Sequence, residues 1–71
     1  MYDYEMQNHG SLYLLDPMTK EAQNHASAHF SDAQHLGRVI AIEPRYAHEV
    51  AHSLLSDGFT VDLDGRELVL A

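Results

Sequence analysis

A chain of 71 residues without cysteine is one domain at most, spanning 1–71, and excludes a disulfide framework, a thiolate metal site and a cysteine nucleophile. A domain near this size buries only about 60% of the surface its unfolded chain exposes, so its margin is thin, yet an apolar share of 45% argues against disorder. Eleven acidic residues against Lys20, Arg38, Arg45 and Arg66 leave a net charge of −7, which disfavours direct nucleic-acid binding and favours partners with basic grooves.

Tyr2, Tyr4 and Met6 alternate with Asp3 and Glu5, the period of a half-buried strand. Asn8 and Gly10 suit a turn, and "SLYLL" reads as a second, more buried strand, so that the two form a hairpin or leave the first as a loose edge. The acidic opening lacks the basic region of a signal peptide, and no apolar run reaches membrane-spanning length. Both features predict a soluble protein of the cytoplasm with no membrane partner.

A first helix follows, capped by Asp16 or Thr19, with Met18, Ala22, Ala26 and Phe30 as a narrow apolar stripe. "SDAQHLG" is a polar connection, and "RVIAIE" is a β-branched run fit for a central strand. Pro44 opens a second helix whose broad stripe includes Tyr46, Ala47, Val50, Ala51, Leu54 and Leu55, and Gly58 stops it. The last segment is a hairpin around Asp64-Gly65, a pair favoured in two-residue turns. That turn sets Leu63 opposite Arg66, Asp62 opposite Glu67, Val61 opposite Leu68 and Phe59 opposite Leu70.

The order ββαβαββ predicts a small α+β domain, two helices packed on one face of a four- or five-stranded mixed sheet. Val50, Leu54, Ile40, Ile42, Leu14 and Phe30 are the expected core. Tyr2, Tyr4 and Tyr13 are amphipathic and are the expected contact of a weak homodimer, the alternative being a monomer in which they close the core.

His48-Glu49-x-x-His52 fits the H-E-x-x-H pattern of zinc-dependent hydrolases. A working site needs a third protein ligand and a substrate cleft, and the core-facing stripe of this helix directs His48, Glu49 and His52 toward water. The pattern is therefore read as two surface histidines in a chain with six, with His48 and His52 as alternative metal ligands, jointly with the pair His25 and His29 if the two helices lie side by side, and no cofactor expected. His25 and His29 form a second pair at the same spacing, without a thiolate to complete a structural zinc site. Phosphate loops, dinucleotide fingerprints and G-x-S-x-G elbows are absent, and no catalytic residue is assigned.

Gln7-Asn8-His9-Gly10, Leu14-Leu15-Asp16-Pro17, Glu43-Pro44-Arg45-Tyr46 and Asp57-Gly58-Phe59-Thr60-Val61 together resemble a family of short, mostly uncharacterised acidic proteins of proteobacterial phages and mobile elements. The resemblance covers most of the chain up to Val61. It implies a non-enzymatic inhibitory binding protein of the host cytoplasm, anti-CRISPR-like, whose acidic surface occupies a basic nucleic-acid-binding site on a host protein such as a CRISPR effector subunit. Asp62, Asp64 and Glu67 on the terminal hairpin, extended by Asp3 and Glu5, are the expected partner-binding residues, with Glu21, Glu49 and Asp57 as a rival face. The alternative is a small phage regulator or adaptor that binds through a tyrosine and apolar surface.

Overall fold

Alternation writes the first hairpin. In a computed structural model, which describes residues 1–70, β1 (Tyr4–Asn8) buries Tyr4 and Met6 and turns Glu5 to the other face. It pairs antiparallel with β2 (Tyr13–Pro17), Met6 opposite Leu15 and Glu5 opposite Asp16. Thr19 then caps α1 (Lys20–His29), its hydroxyl oxygen accepting the Ala22 N–H, and Ala22 and Ala26 are small enough to bring the helix close to the sheet.

The stretch expected to be a polar connection carries an extra strand. β3 (Gln34–Leu36) turns at Gly37 into β4 (Val39–Ile42), so the sheet has six strands rather than four or five. All three β3 residues are exposed, and a strand with no buried face leaves no alternation to read.

Pro44 opens α2 (Pro44–Ser56) as expected. At its other end Gly58, at φ 92, donates to the Leu55 carbonyl while the Phe59 N–H reaches Leu54. This paired closure needs a left-handed residue after the helix, which glycine adopts without steric cost.

β5 (Val61–Leu63) and β6 (Arg66–Leu68) close the chain around Asp64-Gly65, both at positive φ. Leu63 faces Arg66, Asp62 faces Glu67 and Val61 faces Leu68. The ladder stops there. Phe59 and Leu70 lie outside both strands, because the Schellman-type closure of α2 holds the Phe59 N–H.

The sheet order is β3-β4-β2-β1-β5-β6. β1, far from a loose edge, sits between β2 and a parallel β5. The crossovers β2-α1-β3 and β4-α2-β5 both link parallel strands, but they start from oppositely directed strands and step in opposite directions across the sheet. Reversing both direction and displacement preserves hand, so two crossovers of one hand place both helices on one face.

The core is that helix-side layer: Tyr4, Met6, Leu15, Ile40, Ile42 and Val61 from strands, with Ala22, Ala26, Ala47, Ala51 and Leu54 from helices. Three expected core residues, Leu54, Ile40 and Ile42, are buried, while Val50 and Phe30 pack against the cluster half-buried. Leu14 is a correction: it faces away from the helices, and its neighbour Leu15 takes the core place. Tyr4 is another, since a residue at 0% exposure cannot line a contact with a second copy.

Candidate interaction surface

Among the described residues no helix covers the second face of the sheet, and strand pairing writes its contents. Asp16 stands opposite Glu5, Glu5 beside Asp62, and Asp62 opposite Glu67. Four carboxylates thus occupy one registered row across β2, β1, β5 and β6. With neighbouring strands about 4.8 Å apart, the row spans about 15 Å. Glu5, Gln7, Leu14, Asp16 and Val39 line a small depression of about 80 Å³ at one end.

Among the described residues, one cation pairs with this row. Arg38 donates from Nε and Nη2 to the two Asp16 oxygens at 2.7 and 3.3 Å. That bond first, and the Asp16 charge second, hold the guanidinium even more firmly protonated than usual. Among the described residues, Glu5, Asp62 and Glu67 form no ion pair. Tyr2 feels the other end of the row: partial burial, then the Glu67 and Asp62 charges, push its hydroxyl above the ordinary tyrosine range.

Of the five expected binding residues, Glu5, Asp62 and Glu67 therefore share a surface. Asp3 and Asp64 do not. The Asp3 carboxylate accepts the Thr60 N–H at 2.9 Å, the Thr60 hydroxyl at 3.1 Å and the Thr19 hydroxyl at 3.0 Å. Its own N–H donates to Thr60 Oγ1, and its carbonyl accepts the Met18 N–H. It ties the entry of β1 to the cap of α1 and the loop before β5. Asp64 lies at the hairpin turn, with the Asn8 N–H 3.3 Å from both carboxylate oxygens and its own N–H bonded to Met6.

These partners, above all the Thr60 N–H, hold Asp3 below its ordinary value of 3.8. A carboxyl whose folded pKa is depressed adds stability above its unfolded pKa and loses it as pH falls through the folded one. Asp3→Ala is therefore expected to lower stability by about 1–2 kcal/mol at neutral pH, the low end for bonds to a charged group because the site is partly solvated. The deficit should shrink as pH falls below 3.8. Urea titrations of both proteins from neutral to acid pH check it, and a deficit that stays constant through that range would refute the role.

Asp16 is the residue that sequence reasoning missed. Its place follows from the Glu5–Asp16 pairing, which depends on a four-residue connection whose length the chain alone does not fix.

The histidines do not gather into one site. His48, Glu49 and His52 are exposed on α2, and among the described residues no group of three or more histidine, cysteine or carboxylate side chains could hold a metal ion. His25 is half-buried, its Nδ1 2.7 Å from the Tyr4 hydroxyl and its Nε2 3.5 Å from Asp57. His29 stacks on it at 5.1 Å between ring centroids.

No protein-family model, curated protein or solved structure matches the chain. No helix among the described residues is long and apolar enough to cross a membrane.

Proposed function

We propose that the chain is a non-enzymatic inhibitory protein, anti-CRISPR-like and related to the acidic phage proteins it resembles. It acts in the host cytoplasm by laying its open sheet face on a basic nucleic-acid-binding site of a host protein. The observation that carries this reading is the registered row Asp16–Glu5–Asp62–Glu67. Like charges facing each other across strands cost stability, and a small domain has little to spare. Arg38 pairs with Asp16 and acts more weakly on Glu5, so it relieves one end of the row. A lysine- and arginine-lined site would relieve the rest, with carboxylates standing where phosphates otherwise lie. Leu14 and Val39 beside the row add apolar contact at its margin.

The test is reversal of the three carboxylates that form no ion pair among the described residues, Glu5→Lys, Asp62→Lys and Glu67→Lys, leaving Asp3 and Asp64 in place. Because Asp62 Oδ2 also accepts the Gly65 N–H at 3.2 Å, the variant's fold is checked by circular dichroism first. Binding to a CRISPR effector subunit or another captured nucleic-acid-binding protein should fall by about a hundredfold or more, as for several close charge pairs removed at once. Wild-type binding should weaken with salt and compete with nucleic acid. A folded triple variant that binds as before removes this face from the mechanism. Salt-resistant binding would instead favour an adaptor working through the apolar surface around the exposed Val69 and Leu70.

A further inference from the structure

Among the described residues β6 ends the sheet and pairs only with β5. The two-residue turn makes Leu63 and Arg66 the flanking hydrogen-bonded pair. Alternation along an antiparallel ladder then makes Asp62 and Glu67 a non-hydrogen-bonded pair, so the Glu67 N–H and C=O point away from β5. Among the described residues no other group takes them.

The two sides of this edge differ in chemistry. On the open face stands Glu67, the end of the acidic row, with Asp62 behind it. On the helix face the edge borders a groove of about 200 Å³, lined by Ala51, Leu55, Leu68 and Leu70 together with His48 and His52. Val69 and Leu70 remain 75% and 49% exposed.

We propose that the β6 edge takes an extended segment of the partner protein as a seventh strand, one that alternates basic and apolar side chains. The inference rests on the acidic-face reading and adds the form in which the partner is recognised. Side chains of an added strand alternate between faces. Those on the open face meet Glu67 and Asp62, which selects lysine or arginine. Those on the helix face enter the groove, which selects leucine or valine. Backbone bonds to Glu67 fix the register, as in other strand additions. A second copy of this chain fits poorly, since symmetric antiparallel pairing through the free Glu67 backbone groups sets Glu67 opposite Glu67 on the open face.

Two synthetic peptides of identical composition test it, one alternating lysine with leucine or valine, the other with its lysines blocked at one end. The alternating peptide should bind about tenfold tighter or better, as expected when a few well-placed anchors carry affinity. Exchange of the Glu67 amide should slow in that complex. N-methylating the peptide amides on one edge should abolish binding, and methylating those on the other should not. Leu70→Asp, at an exposed position, should erase the preference for the alternating peptide. Equal binding of the two peptides, weakened in both by Asp62→Lys, would overturn strand addition while sparing the acidic-face reading. Failure of both to bind would overturn strand addition alone, because the effector experiment tests that face separately. Protection of Glu67 that depends on protein concentration without peptide would give the edge to a second copy and overturn the proposal.

Discussion

Replacing Leu54 with alanine is expected to remove about 2–5 kcal/mol of stability, the range for a leucine truncated inside a core. Leu54 is 1% exposed on α2 and belongs to the single cluster that joins both helices to the sheet. At about 0.05–0.15 kcal/mol per residue a chain of this length holds roughly 4–11 kcal/mol in all. One methyl-rich side chain therefore decides whether much of the population stays folded. Leu14→Ala is the matched control. Leu14 has the same chemistry but lies half-exposed on the open face, so its loss should cost less than about 1 kcal/mol. Urea denaturation with unchanged slope and a large midpoint shift only for Leu54→Ala is the expected pattern. The reverse order would mean that the helices cover the other face.

The second large effect is an alkaline one, and it belongs to Tyr4. Its ring is fully buried, 5.5 Å from Phe59 and 6.1 Å from His25 between centroids. Its hydroxyl lies 3.0 Å from the Ala22 carbonyl and 2.7 Å from His25 Nδ1. Burial first, and the Asp3 and Asp57 charges after it, push this hydroxyl from 10.0 up to about 12. A folded pKa raised above the unfolded one gives stability that is complete below the unfolded value and lost as pH rises through the folded value. The domain should therefore weaken progressively between pH 10 and about 12. Tyr4→Phe keeps the ring and removes the ionisation. It should cost about 1–2 kcal/mol at neutral pH for the lost hydrogen bonds and flatten the alkaline loss. Stability curves that fall together for both proteins above pH 10 would show that another group controls the limb.

Much of the helical layer was legible because each signal was local. Pro44, the stripe through Leu54 and Leu55, and Gly58 bound α2 closely, and Thr19 was one of two expected caps for α1. The terminal hairpin was legible for the same reason: Asp64-Gly65 fixes a two-residue turn, and counting outward places Asp62 opposite Glu67. The count holds to Val61 and Leu68 and fails two pairs further, at Phe59 and Leu70, because the end of α2 claims Phe59 first. β3 escaped notice since an exposed edge strand has no core side to imprint a period. Leu14 was placed in the core for a related reason. "SLYLL" is apolar at adjacent positions, so either parity could have faced the helices.

By itself the sequence determined what depends on neighbours in the chain: the charge of the domain, the helix ends, the register of the last hairpin and the facing pair Asp62–Glu67. The tertiary structure decided which carboxylates belong together. Asp16, Glu5 and Asp62 meet because β2, β1 and β5 pair laterally, and the parallel β1–β5 pairing joins segments more than fifty residues apart, across two helices and three intervening strands. Hydrogen bonds of that range set the register through the whole assembled sheet, and no local pattern encodes them. The same assembly withdraws Asp3 and Asp64 from the surface row. The N–H groups of Thr60 and Asn8, which those two carboxylates accept, come within reach only when strands distant in sequence are brought side by side.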